Sequence, residues 1–203
     1  MTSVYTGHLS AGDGLAAAAT HVPTHPSLIQ VEFANGSYNS RLVSLVSLKR
    51  DEVLTTFAPH VTAAPRPSYS TVQVAEDAHI ELNSDLLYCN HSCDPNVRFV
   101  VAGDDKRQWK AVAEKDIKKG DTLTFFYPST EWSMAQPFDC ACNCGQQCLG
   151  KISGAASIPA SVLGRYFVNP HILRLKRDQI RQQNGGSADT QDEQALFRRN
   201  DRP

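Results

Sequence analysis

Four cysteines fall within one short run, Cys140-Ala-Cys142-Asn-Cys144-Gly-Gln-Gln-Cys148, and that crowding constrains the chain more than any other feature. Neighbouring Cys-x-Cys pairs bridge only under strain, so disulfides within the run explain it poorly. Thiolates at this density suit a metal held in a reducing compartment. Zinc takes four ligands in a tetrahedron, and the run calls for a fourth from elsewhere. Cys93 is the best placed. It lies in Asn90-His91-Ser92-Cys93-Asp94-Pro95-Asn96, where Pro95 fixes the backbone and the Asn and Asp residues favour a tight hydrogen-bonded loop. Cys89 reads as a small buried apolar residue beside that loop.

A reducing environment implies an intracellular protein, in nucleus or cytoplasm. The N-terminus lacks the basic flank and apolar run of a signal peptide, and its longest small-residue stretch is Leu15 to Ala19. No segment reaches membrane-spanning length, so no membrane association is expected. Twenty basic residues against twenty-one acidic ones leave a net charge of -1, which gives no overall field to attract nucleic acid, and no direct nucleic-acid binding is expected. The basic run Arg174, Lys176, Arg177 and Arg181 reads as a solvated helix face.

Short strands dominate the pattern. Leu28 to Phe33 reads as one strand, Ala34-Asn35-Gly36-Ser37 as a hairpin turn and Leu42 to Leu48 as its return. Val53-Leu54, Thr71 to Val74 and His79 to Leu82 follow, with His60 to Ser68 a proline-broken loop. Val97 to Ala102 and Trp109 to Ala113 flank the turn at Gly103-Asp104-Asp105, and Leu123 to Tyr127 is an aromatic-rich buried strand. The class is mainly β, built of small sheets. One helix is expected late, capped by Asn169, entered through Pro170 and running from about His171 to Gln183 with Ile172, Leu175 and Ile180 inward. Residues 1–27 read as an irregular arm and 185–203 as a flexible tail in which only Leu196 and Phe197 can anchor. His8, His21, His25, His60, His79 and His171 show no metal spacing and read as surface or loop residues.

The loop at Asn90 to Asn96 resembles the Asn-His-Ser-Cys-x-Pro-Asn run of SET-domain proteins at every defined position. A second family pattern, Gly-Asp/Glu-x-Leu-Thr-Phe-x-Tyr, is matched by Gly120-Asp121-Thr122-Leu123-Thr124-Phe125-Phe126-Tyr127, and the cysteine run follows as a post-SET cluster. The resemblance implies a SET-type β-clip fold with a threaded C-terminal strand and a C-terminal helix. It divides the chain into a SET domain at 28–135, a post-SET zinc segment at 136–152 and a helical extension at 153–184.

It further implies S-adenosylmethionine and zinc as cofactors, and in-line methyl transfer to an uncharged lysine amine of a protein substrate. Positioning dominates such chemistry. By the same resemblance Tyr127 is the catalytic phenol and also borders the cofactor, while Asn90 and His91 hold the cofactor's amino and adenine groups. Phe138 and Trp132 are placed to cover its edge, core packing being the other reading of both. The family joins the loop cysteine to Cys-x-Cys-x4-Cys. Cys140, Cys142 and Cys148 have one residue too many for that spacing and Cys142, Cys144 and Cys148 one too few. The flanking residues favour Cys93, Cys140, Cys142 and Cys148, with Cys144 as a substitute.

Three positions depart from the family. Asn39-Ser40-Arg41-Leu42 stands where a Gly-x-Gly-Leu segment lets backbone approach the cofactor. Arg41 and Leu42 are therefore candidate cofactor contacts: the side chains at the two former glycine positions, Asn39 and Arg41, either crowd the methionine end of the pocket or Arg41 binds the cofactor's carboxylate. Phe126 replaces a common Asp, and the short His60 to Val74 region gives the substrate groove a small wall. These departures keep two rival expectations open: the same scaffold acting on a small molecule, and a non-catalytic binding module.

Overall fold

Short alternating segments fold as short strands, and their order in the sheets decides what they enclose. The computed structural model describes residues 18–36, 38–185 and 191–197. Its strands are β1 (Ile29–Glu32), β2 (Arg41–Ser44), β3 (Val53–Thr56), β4 (Thr62–Ala64), β5 (Thr71–Gln73) and β6 (His79–Glu81). They continue as β7 (Asn90–His91), β8 (Val97–Val100), β9 (Lys110–Ala113), β10 (Thr122–Phe125), β11 (Phe138–Asp139) and β12 (Lys151–Ile152). Three helices follow: α1 (Ala160–Leu163), α2 (Pro170–Gln183) and α3 (Gln191–Phe197).

The largest sheet runs β1-β2-β10-β8-β9-β3, with β7 also beside β10. A second sheet, β4-β6-β5, and the small β11-β12 pair complete the mainly β architecture. Alternation sets the faces: in β1, Ile29 and Val31 turn inward while Gln30 and Glu32 meet water. The expected hairpin is β8-β9, registered Val97 to Ala113 and Val100 to Lys110 across the turn at Gly103.

β10 is the keystone. It pairs antiparallel with β2 and parallel with β7 and β8. The Asn90–Asn96 loop wraps onto it: the Ser92 N–H donates to the Phe125 carbonyl at 3.1 Å and the Asn96 N–H to the Thr124 carbonyl at 3.2 Å. The Asn96 side chain closes the contact, accepting from the Thr124 N–H at 2.9 Å and donating to the Thr122 carbonyl at 2.8 Å. Leu42, Phe99, Ala111, Ala113 and Leu123 fill the core beneath.

A second core forms where Phe126, Ile158, Leu163, Ile172, Ile180 and Leu196 meet. Phe126, in the place of the family's Asp, stacks on Tyr166 with centroids 3.8 Å apart. Of the residues expected inward on α2, Ile172 and Ile180 are buried and Leu175 packs partly against this core.

Several expectations need correction. The loop at His60 to Ser68 contains β4, which pairs with β6; three residues between prolines offer no alternation to read. Asn169 does not cap α2 with its side chain, because its amide is committed to Val101, Phe99 and Ser129. The basic run is not uniformly solvated. Lys176 is buried and donates to the Ala155 and Ala156 carbonyls and to Gln179 Oε1, while Arg181 pairs with Glu193 at 2.7 Å. Residues 191–197 are helical and docked, with Leu196 fully buried against the extension.

At the other end, residues 21–27 join the body through polar contacts that leave no hydrophobic period. The Thr24 N–H donates to Asp85 Oδ2 at 3.0 Å, the Asp85 N–H returns to Thr24 Oγ1 at 2.9 Å, and His21 Nε2 lies 3.0 Å from Asp85 Oδ1. His21, His79 and His171 are accordingly interior side chains, not surface ones. The arm residues 1–17 with His8, and the tail residues 186–190 and 198–203, lie outside the described residues. Among the described residues no helix is long and apolar enough to cross a membrane.

Candidate active site and cysteine cluster

β7 and the end of β10 run side by side, so whatever Asn90 and His91 present lies next to what Tyr127 presents. The two segments open onto a cavity of about 780 Å3, within the roughly 300–1,000 Å3 typical of small-molecule sites. Asn90, His91, Tyr127 and Phe138 all line it, as do Asn39, Tyr38, Tyr69, Cys89, Glu131 and Asp139.

Each side chain is fixed by its neighbours. The Asn90 amide donates to the Ser40 carbonyl at 2.8 Å. His91 Nδ1 accepts the Tyr127 N–H at 3.2 Å, and its Nε2 lies 3.4 Å from Cys93 Sγ. Burial drives the His91 imidazole down to about 4, so it is neutral at physiological pH. The Tyr127 hydroxyl donates to the Cys89 carbonyl at 3.3 Å. Burial first, then the neighbouring Cys89 and Glu131, push that phenol well above the usual tyrosine range, and it stays a neutral dipole. Phe138 meets the His91 ring edge-on at 5.7 Å and the Tyr127 ring at 6.0 Å.

Arg41 and Leu42 are not brought to this cavity. Arg41 sits at the exposed start of β2 with its guanidinium on the Glu32 carboxylate at 2.6 and 2.7 Å, and Leu42, one residue on, points into the core. Of the two side chains expected to crowd the pocket, Arg41 is thus turned away from it and Asn39 borders it. The Asn39 amide donates to the Asn35 carbonyl at 2.8 Å, and Ser40 Oγ accepts the Ala34 N–H at 3.1 Å. Both polar groups serve their own loop. Trp132 packs against the second core under the Lys176 ammonium, not against the cavity.

Behind Phe138, the β11-β12 pair closes a hairpin that carries the cysteines back to the Asn90–Asn96 loop. The Cys140 N–H donates to the Gly150 carbonyl at 2.8 Å, and the Leu149 N–H to Cys93 Sγ at 3.4 Å. Gly150 takes φ +69°, a turn conformation that side chains resist. Sulfurs of Cys93, Cys140, Cys142 and Cys148 all lie within 4.8 Å of one another. Cys93 and Cys140 are 3.9 Å apart, close to the roughly 3.8 Å edge of a tetrahedron with Zn–S bonds of about 2.3 Å. This donor set fits zinc. Cys144 lies outside the group of four, 3.1 Å from the Cys142 sulfur.

The SET-domain family model matches residues 20–128. The chain belongs to the SET-domain family. The match begins in the polar segment docked on Asp85, ahead of the boundary expected at residue 28. Methyltransferase flvH of Aspergillus flavus is 42% identical over 153 residues, covering 75% of this chain and 83% of that relative. Membership and this relative together make the chain a methyltransferase. Solved structures of KRYPTONITE, one with mCHH DNA, H3(1-15) peptide and SAH and one with mCHG DNA and SAH, are 16% and 18% identical. They match 55% of this chain in each case but 27% and 26% of those chains, with TM-scores of 0.41 and 0.43, and support nothing further about it.

Sequence reasoning passed over Glu131, Tyr38 and Tyr69. For Glu131 a signal existed: it stands four residues after Tyr127 in a turn opened by Pro128, where that spacing returns to the same face.

Proposed function

We propose that the chain transfers a methyl group from S-adenosylmethionine to the amine of a protein lysine, on a scaffold braced by zinc. The carrying observation is the convergence of Asn90, His91, Tyr127 and Phe138 on one cavity directly beside four mutually close cysteine sulfurs. The sulfonium cofactor, when bound, supplies the methyl group.

The chain's own residues position and exclude. Asn90 and His91 border the cofactor's end of the cavity, and their backbones are locked to β10 so that this border does not shift. Phe138 covers it from the zinc side, and Cys93, Cys140, Cys142 and Cys148 hold Phe138 there by holding the hairpin. Tyr127 presents a neutral phenol oxygen to the nitrogen, which orients the lone pair and stabilises the positive charge that grows on it.

Calorimetric titration of the zinc-loaded protein with S-adenosylmethionine tests the reading. Saturable one-to-one binding is expected, with labelled methyl appearing on a lysine peptide and falling about 100-fold or more in Tyr127→Phe. Absence of cofactor binding refutes it. Methylation confined to free small amines would favour the second reading, a small-molecule substrate, for which the short wall formed by β4 to β5 speaks.

A further inference from the structure

One carboxylate reaches the cavity with half of its oxygens uncommitted. The chain leaves Tyr127 through a 3-10 turn, and the Glu131 N–H returns to the Tyr127 carbonyl at 3.1 Å. That fold-back buries Glu131 in the cavity wall. Oε1 accepts the Gln73 N–H at 2.7 Å and lies 3.3 Å from the Thr130 hydroxyl. Oε2 makes no hydrogen bond among the described residues; His79 Nε2 lies 3.9 Å from it, beyond hydrogen-bond length. A carboxylate this desolvated normally has both oxygens paired.

The surroundings say what the missing partner is. The residues lining the cavity include the acids Glu131 and Asp139 and no Lys or Arg. Tyr38 and Tyr69 stand at its rim, 54% and 43% exposed, with ring centroids 6.0 Å apart. Exposed aromatic faces attract cations. The sulfonium donor is itself a cation, so a second one beside it is repelled unless a carboxylate compensates. The wall holds that carboxylate on the Tyr127 side.

We propose that Glu131 is the residue that selects the acceptor substrate, its free oxygen receiving the ammonium group of an alkyl amine that enters past Tyr38 and Tyr69. This rests on the methyl-transfer reading and adds the charge that the substrate must carry. The amine can belong to a lysine side chain in a peptide or to a free small molecule; the chemistry is shared.

Burial pushes the Glu131 carboxyl up to about 7. Other titratable groups face it. His79 on β6 and His171 on α2, which meets the Thr130 carbonyl at 2.9 Å, are both lowered by burial, and Tyr127 is raised. Ammonium binding therefore strengthens as pH rises through about 7 and Glu131 ionises.

Calorimetry on the full chain without methyl donor tests this, using Nα-acetyl-lysine methylamide and the analogue carrying a hydroxyl in place of the amine. The amine is expected to bind at least tenfold more tightly than the alcohol, and about tenfold more tightly near pH 8 than near pH 6, following the ionised fraction of a group with its midpoint near 7. Glu131→Gln keeps a carbonyl for the Gln73 N–H while removing the charge, and is expected to abolish both differences. A lysine peptide run in parallel separates the sources: equal affinities point to a free amine, and binding of the peptide alone, with the same Glu131 dependence, points to a protein. Equal binding of amine and alcohol, an unchanged Glu131→Gln, or no binding by either amine probe overturns the proposal. Cofactor titration is a separate measurement, so loss of the methyl-transfer reading is distinguishable from loss of this one.

Discussion

Asn169→Ala should be among the costliest single substitutions in the chain, although Asn169 touches no candidate site residue directly. Its side chain is fully buried where the body, the Tyr127–Ser129 turn and α2 meet. Oδ1 accepts the Val101 N–H at 2.9 Å, and Nδ2 donates to the Phe99 carbonyl at 2.8 Å and the Ser129 carbonyl at 3.0 Å. Truncation removes three hydrogen bonds worth about 1 kcal/mol each and leaves the Val101 N–H stranded for a further 1–3 kcal/mol. The Asn169 N–H still donates to Ser129, so that carbonyl keeps one partner. A total of about 4–6 kcal/mol is a large share of a typical stability of about 5–15 kcal/mol. With a urea slope of about 2 kcal/mol per molar, the midpoint drops by roughly 2–3 M. Buried Trp109 reports on the body and Trp132 on the extension, so fluorescence follows both sides of the junction. Asn169→Asp keeps the acceptor but loses both donors and buries a charge, and should fare no better. A midpoint for Asn169→Ala within about 0.5 M of the parent would refute the reasoning.

Cys93→Ser should lose zinc and lower the melting temperature, because a zinc held by the four sulfurs would couple the Asn90–Asn96 loop to the β11-β12 hairpin; unchanged metal content by atomic emission defeats the assignment. Gly154→Ala should cost about 2–4 kcal/mol in urea unfolding, since φ is +111° and an added Cβ would meet the Trp132 carbonyl oxygen at 2.5 Å and Ser133 Cα at 2.8 Å. For Glu131, burial raises the folded carboxyl to about 7, above the roughly 4.3 of an unfolded Glu. The folded chain therefore holds this proton more tightly, and the contribution is full below the unfolded value and lost as pH rises through the folded one. Between about pH 5 and pH 8 the unfolding free energy of the parent should fall by about 2–3 kcal/mol relative to Glu131→Gln. A difference that stays flat with pH would show that Glu131 is not held protonated by burial.

What could be read from the sequence was what local chemistry dictates. The Asn90–Asn96 loop announces itself because nearly every residue in it has a bonded role: Asn96 to β10, Cys93 to the cysteine hairpin, His91 to Tyr127. The sulfurs of Cys93, Cys140, Cys142 and Cys148 lie together despite a one-residue departure in spacing, and Asn143 (φ +54°) and Gly145 (φ +62°) turn the chain between them. What escaped depends on partners far along the chain. Asp85 recruits His21 and Thr24 from sixty residues away, and no periodicity in 18–27 hints at it. α3 is short and polar, held by one buried face at Ala195 and Leu196. Lys176 looked like part of a solvated stripe because its acceptors, the carbonyls of Ala155 and Ala156, are backbone atoms that sequence patterns do not display.

The departures from the family pattern take on a common sense once their contacts are known. Phe126 gives up a charge and in return stacks on Tyr166, whose hydroxyl donates to the Cys93 carbonyl at 2.9 Å. The C-terminal extension thereby braces the same loop that the cysteine hairpin braces from the other side. Asn39 and Arg41 stand where the family pattern has glycines, yet Asn39 bonds within its own loop and Arg41 pairs with Glu32, while Ser40 between them also bonds within that loop and its carbonyl anchors the Asn90 amide. Changes that looked like losses of function at the level of single letters are thus spent on fixing the wall that carries Asn90, His91 and Tyr127. Within that wall, the second oxygen of Glu131 has no hydrogen-bond partner among the described residues. On the proposed reading, a wall fixed in this way, with the Glu131 carboxylate bordering the cavity, would discriminate among acceptors by charge more than by shape.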